Sequence, residues 1–248
     1  MSGQANHPFQ AFPNAYLETD EPPNRIHWDR ITVIVGMLGT VYFGLTILAL
    51  TLFDSDYNPV SQAASDYGVG RFAVEMNLGF FVGGIGLIAV AWAIGRKETN
   101  VRSRGGSALF FVAGLVLIMN SYFTTNIEGG PATIHGTIHG LGGFVFFVTA
   151  PIGVILVCRK FGRGRLLTAV LGLVIGFFLL AIGGLSGLAE RAILLVIFAT
   201  VILASLELAG FSRVAPVAQG QSSVGARPWA ATQGAAKHCM ANLADSSN

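Results

Sequence analysis

His135 and His139 carry the sharpest chemical signal in this 248-residue chain. At positions i and i+4 of a helix their rings project from one face, about one turn apart. That spacing suits two ligands of a single metal ion, as in helix-borne zinc sites. No Glu adjoins the first histidine, so a third ligand has to come from elsewhere; Asp66, Glu75 and Glu128 are the candidates by depth. With zinc held by His135, His139 and Asp66, a metal-bound water could attack an ester or amide carbonyl. Without a metal, the same rings would hydrogen-bond across helices or relay protons. Haem is disfavoured, because its two axial ligands face each other from different helices and these histidines share one.

Other polar groups cluster nearby. Ser65-Asp66-Tyr67-Gly68 precedes an apolar run and is followed by Arg71, Glu75 and Asn77. Ser65 or Asp66 is placed to cap the coming helix, since a side-chain oxygen there satisfies free N–H groups. Glu75 falls about a turn inside it, where a carboxylate needs a partner or a proton. Asn126-Ile127-Glu128-Gly129-Gly130-Pro131 reads as a turn leading into the histidine helix, with Pro at a favoured first position. Glu190-Arg191 reads as a tight turn between two later runs. Glu190 is expected in the headgroup layer, and Arg191 is expected to reach a lipid phosphate or Asp66, because guanidinium suits oxyanions. Asn120 reads as an interhelical hydrogen-bond partner, Glu207 as a snorkelling or paired acid, and His27 and Trp28 as interfacial anchors.

The elements that must position these groups are membrane helices. Apolar residues make up 52% of the chain and charged ones 11%, against roughly a quarter charged in soluble domains. A span needs roughly 20 mostly apolar residues. Six runs qualify: Ile31 to Phe53, Phe72 to Gly95, Ser107 to Thr125, Thr133 to Cys158, Leu166 to Leu188, and Ala192 to Gly210. They are continuously apolar and not alternating, which favours helices over a barrel. The expected fold is therefore all-α, a polytopic bundle of six transmembrane helices over residues 29–211. The segments 1–28 and 212–248 cannot bury enough apolar surface to offset ordering entropy and are expected to be disordered tails.

Charge sets the orientation. Arg96, Lys97, Arg102 and Arg104 crowd one loop, and Arg159, Lys160, Arg163 and Arg165 another. Short loops rich in Lys and Arg stay inside, so both termini are expected in the cytoplasm of a multi-pass plasma-membrane protein. The opposite loops carry Asp54, Asp56, Asp66, Glu128 and Glu190. The net charge of +2 is therefore a topology signal and no sign of a nucleic-acid partner. Cys158 and Cys239 fall on the reducing side, so no disulfide is expected. The first apolar run is too long for a cleavable signal and reads as an uncleaved anchor. Glycines at 79, 83, 84, 86, 140, 143, 172 and 176 imply close helix packing, with self-association through a Gly79/Gly83 face as a sharper alternative.

Three of these stretches carry a resemblance. Ser65-Asp66-Tyr67-Gly68, the segment Phe123 to His135, and Gly187-Leu188-Ala189-Glu190-Arg191 together resemble the bacterial and archaeal membrane family called domain of unknown function 998, over most of Thr32 to Gly210. The chain departs from that pattern at Thr124, where Pro is usual, and at Asn126, where an acid is common. If that acid is a ligand in relatives, this chain has lost it or uses Glu128. The resemblance implies a six-helix membrane protein and little about activity. A more distant likeness is to membrane hydrolases such as alkaline ceramidases and adiponectin-type receptors, which place Ser, Asp and His around an intramembrane zinc. Ser65, Asp66, His135 and His139 stand in loosely similar places, without a seventh helix or an evident third histidine.

Three functional expectations follow. The first is a non-enzymatic protein that binds or moves a membrane lipid or small amphiphile through an outward polar cluster of Ser65, Asp66, Glu75, Glu128, His135, His139 and Arg191. The second is a zinc-dependent lipid hydrolase at the same residues. The third is a proton-coupled transporter using Glu75 and the histidines, although broken helices and internal repeats are not evident.

Overall fold

Backbone N–H and C=O groups have no water to bond inside hydrocarbon, so long apolar runs close into helices that satisfy themselves. A computed structural model of the protein shows six of them. They are α1 (Pro23–Phe53), α2 (Ala73–Lys97), α3 (Val101–Tyr122), α4 (Ile134–Cys158), α5 (Arg163–Ala181) and α6 (Ser186–Leu208). Short 3-10 turns cover Ala64–Gly68 and Arg159–Phe161. The structure describes residues 23–126, 130–182 and 184–209, with side chains from 30 onward except that of 161. Residues 1–22 and 210–248 of the expected tails, the side chains of His27 and Trp28, Cys239 and the candidate ligand Glu128 lie outside this description, while α1 already begins at Pro23, inside the segment 1–28 expected as a tail. Among the described residues there is no strand, and all six helices are long and apolar enough to cross a membrane.

The last two helices begin and end earlier than expected. The fifth stops at Ala181, and Gly184 takes a positive φ of 73° in the link to Ser186. Glycine tolerates that conformation at little cost, so it marks the break. Glu190 and Arg191 therefore do not form the inter-helix turn; they lie one turn inside α6. A count of apolar residues puts the boundary at the charged pair, whereas the chain puts it at the glycine.

The helices pack in sequence from α1 to α4. The α6 helix then lies against α1, with α5 against α6, while α4 meets α5 and α6 only lightly. Glycine makes the tight crossings possible. A Cβ on Gly84 would sit 2.7 Å from the Gly114 carbonyl oxygen, and one on Gly114 would sit 2.7 Å from that of Gly84, so α2 and α3 touch backbone to backbone. The Gly79/Gly83 face is filled within the chain by Phe43 and Thr46 of α1. Gly140 and Gly143 of α4 differ, because a Cβ there would meet nothing within 4 Å. They border empty space.

One end of the bundle is basic and knitted across helices. Lys97 donates to the Leu208 carbonyl at 2.6 Å, Lys160 pairs with Glu98, and Arg165 pairs with Glu207. Glu207 is thus the paired acid of the two alternatives. The other end carries Asp54, Asp56, Asp66, Glu75 and Glu190 and holds the candidate site.

Candidate functional site

The loop after α1 is tied to the start of α6. The first N–H groups of any helix lack intrahelical acceptors, and here the loop supplies some of them. Leu188 N–H donates to the Val60 carbonyl at 3.1 Å, and the Ser186 hydroxyl donates to that of Ser61. Gly187 lets the loop come this close, since a Cβ there would lie 2.1 Å from the Gln62 carbonyl oxygen. One turn on, Arg191 Nη1 donates to the carbonyls of Pro59 (3.1 Å), Gln62 (3.1 Å) and Gly187 (2.9 Å), and Nη2 reaches Thr51 Oγ1 at 3.4 Å. Its Nε is buried without an acceptor. Arg191 is therefore a clamp on the loop backbone, and neither of the roles expected for it, a lipid phosphate or Asp66 partner, accounts for its hydrogen bonds.

Two tyrosines complete this clamp. The ring of Tyr57 stacks on Tyr67 with centroids 3.9 Å apart, lies under the Arg191 guanidinium, and donates its hydroxyl to the Ala63 carbonyl. Burial pushes both phenols above the ordinary tyrosine range, outweighing the lowering pull of Arg191 on Tyr57. The folded loop thus holds these protons more tightly than the unfolded chain. Its contribution is complete below about pH 10 and is lost as pH rises through the folded values. In difference spectra against Tyr57→Phe and Tyr67→Phe, tyrosinate absorbance from these two is expected only when the protein unfolds in alkali. Ionisation near the ordinary value with the fold intact would contradict the buried stack.

The clamped loop leads directly into the 3-10 turn Ala64–Gly68, which carries Ser65 and Asp66. These two residues do not cap α2, which starts five residues further on, at Ala73, with no side-chain cap at Phe72. Asp66 reaches back to accept the Ala63 N–H at 3.0 Å, and Glu190 accepts the Ala64 N–H at 2.7 Å. Two carboxylates, from distant parts of the chain, thus sit on successive N–H groups of one turn. Asn77 Nδ2 donates to the Gly68 carbonyl at 3.3 Å and pins the turn to α2.

The two histidines meet different groups of the same neighbour, Phe123. Thr133 caps α4 by accepting the Gly136 N–H at 3.0 Å, and Asn126 Oδ1 accepts from the Thr133 N–H (2.9 Å) and hydroxyl (2.8 Å). An acceptor oxygen is what position 126 supplies, and Asn provides one as an acid would. From this anchored start, His135 is exposed and its ring packs on that of Phe123, 5.3 Å between centroids. His139 is buried, and its Nδ1 lies 2.6 Å from the Phe123 carbonyl. A carbonyl can only accept, so Nδ1 carries a proton, and a neutral ring keeps its lone pair on Nε2. The pair clasps the end of α3, whose last carbonyls have no intrahelical donor. Among the described residues, no three His, Cys, Asp or Glu side chains gather closely enough to hold a metal ion. His135, His139 and Asp66 are not brought together as the expected zinc set. Glu75 stands apart too, exposed in the first turn of α2, where water and the positive helix end serve it.

What the fold does assemble is a cavity of about 540 Å³, within the usual size of small-molecule sites. Its polar end is formed by Ser65, Asp66, Asn120, His139 and Glu190. Its walls are apolar and rich in phenylalanine, from Phe43 of α1 to Phe177 of α5. Gly140 and Gly143 open its α4 side. Phe144, Val148, Phe177 and Leu180 line it and also stand exposed on the apolar flank of the bundle. The cavity therefore opens sideways, through the loosely packed seam between α4 and α5. Of the residues expected in the polar cluster, Ser65, Asp66 and His139 line this cavity, and it also takes in Glu190 and Asn120, which were not among them. An ionisable residue inside a spanning helix is itself a signal, and it was hidden by starting α6 too late.

Fold and site together define a multi-pass membrane protein of six spanning helices with an acidic, side-opening cavity. Residues 37–207 match the model of the family described as protein of unknown function (DUF998), and the chain belongs to that family. The match covers every residue of the cavity. No curated protein and no solved structure matches the chain.

Proposed function

We propose that this protein binds a lipid or other small amphiphile, at the outer face of the cell membrane, with both chain termini in the cytoplasm. The observation that carries the reading is the shape and chemistry of the cavity. It is apolar along its length, polar at one end, and open at the side where hydrocarbon would lie. An acyl chain entering between α4 and α5 would keep apolar neighbours throughout, while its head would stop at Asp66, Glu190, His139 and Asn120. A water-soluble ligand would gain nothing from a lateral, phenylalanine-lined entrance. The orientation is supported by the basic loops joining α2 to α3 and α4 to α5, which favour the cytoplasmic side.

A diazirine-bearing alkyl amphiphile tests this reading. Photolysis in membranes holding the full chain is expected to label the cavity wall, at α4 around Phe144 and Phe147 and at α5 around Phe177. Gly143→Phe fills the cavity from a position where a side chain meets open space, and should bring that labelling to the level of lipid-facing residues elsewhere. Labelling spread evenly over all six helices, or unaffected by the substitution, would overturn the reading.

A further inference from the structure

We infer that the polar end of the cavity is built for a cationic head that donates hydrogen bonds, a primary ammonium on an alkyl chain. The inference rests on the amphiphile reading above and names the class of ligand.

The first ground is charge. Asp66 and Glu190 both line the cavity, and no Lys or Arg does. Arg191, the nearest cation in sequence, has its Nη1 and Nη2 groups committed to backbone carbonyls and Thr51. An anionic head, such as a carboxylate or a phosphate monoester, would enter against two carboxylates with no compensating cation in the wall. A cation would enter beside two carboxyl groups, at a site walled off from most water, where its attraction for their charged form is strengthened.

The second ground is hydrogen bonding. The carboxylates offer only acceptors when ionised. His139 gives its Nδ1–H to Phe123, so Nε2 is a further acceptor in the neutral form of the ring. Asn120 is 2% exposed, its Oδ1 is buried with no donor, and its side chain is part of the cavity wall. A buried amide oxygen without a donor is costly unless something else satisfies it. The polar end is thus rich in acceptors, the unsatisfied Asn120 Oδ1 among them. A primary ammonium brings three donors and a positive charge on one small atom, and the carboxylates can take charge-assisted bonds from it. A quaternary ammonium brings the charge without donors. It would be held by its charge and by the aromatic rings, with no hydrogen bond to the carboxylates.

A free long-chain amine and an ethanolamine phospholipid share this head. Four ligands of the same chain length separate the possibilities: dodecylamine, a lauroyl lysophosphatidylethanolamine, dodecyltrimethylammonium and dodecanoate. Binding is measured by calorimetry with the full chain in maltoside micelles, at a pH where the amine is charged, with Gly143→Phe as the control for partition into the micelle. At least one of the two primary-ammonium ligands is expected to bind about tenfold or more tightly than both the trimethyl and the carboxylate ligands. Which of the two is tighter tells a free amine from a phospholipid head. Glu190→Gln keeps an acceptor oxygen for the Ala64 N–H while removing the charge, and should reduce that preference about tenfold; Asp66→Asn is the second variant should the first fail to fold. Equal binding of all four, or tighter binding of the trimethyl or carboxylate ligand, overturns the ammonium inference and leaves the amphiphile reading standing. Binding of none overturns both.

Discussion

Arg191→Ala is expected to lower the stability of the protein by about 3 kcal/mol, because hydrogen bonds to charged groups are the strong ones and their loss here orphans several acceptors. A single guanidinium nitrogen serves the carbonyls of Pro59, Gln62 and Gly187, and the ring of Tyr57 lies beneath the same group. Truncation strands those carbonyls at a packed junction, where water replaces the donor poorly. Arg191→Lys is expected to recover only part of the loss, since an ammonium lacks the planar fork that spans loop, helix and Thr51 together. Denaturant unfolding in detergent checks both. A change below about 1 kcal/mol, the ordinary worth of an exposed ion pair, would mean that the loop stands without the clamp. The effect should reach the cavity as well. The clamped loop carries Asp66 and the Ala64 N–H that holds Glu190, so amphiphile binding should weaken in Arg191→Ala even under conditions where the helices remain folded.

A second large effect is expected from adding one methyl group at two glycines that look alike in sequence. In isolation Gly→Ala within a helix is favourable by about 1 kcal/mol. At Gly84 the new Cβ would meet the backbone oxygen of Gly114 at 2.7 Å and the Ile118 side chain at the same distance. A carbonyl cannot rotate aside, so α2 and α3 must separate along their seam. Overpacking of this kind costs typically about 1–3 kcal/mol, and Gly84→Ala is expected to be destabilised by about 2 kcal/mol net. At Gly140 the same methyl points into the cavity, where nothing lies within 4 Å. Gly140→Ala should therefore keep the intrinsic helix gain and be as stable as the parent or slightly more so. The same unfolding assay reads both variants. Equal losses at the two positions would mean that α4 packs against a neighbour there and that the cavity is closed.

The six spans were legible because hydrocarbon imposes one demand over some twenty residues, and apolar content averages well over that length. Boundaries governed by single residues were not. The charged pair Glu190-Arg191 read as a loop by polarity, yet loop carbonyls accept from the Arg191 Nη1 and a 3-10 turn donates to Glu190, so both are accommodated inside α6. Gly184 was the local mark of the true break, and a charge count gives it no weight. The histidine spacing placed two rings on one helix face and left hydrogen bonding, metal binding and proton relay as alternatives. Two rings four residues apart can each answer a different need, here the face of Phe123 and its carbonyl. The pairing of Asp66 with Glu190 joins residues 124 positions apart in the sequence, and no local pattern could have announced it. The Gly187 and Arg191 spacing is the nearest thing to a signal, since its physical content is a slot and a clamp for another segment's backbone.

Native mass spectrometry of the full chain, released from mild detergent without added lipid, tests occupation of the cavity most directly. The wild-type protein is expected to carry a bound amphiphile as a discrete mass increment, and Gly143→Phe is expected to appear as the bare chain. A bare wild type, or the same increment on both proteins, would contradict an amphiphile held in the space between α4, α5 and α6.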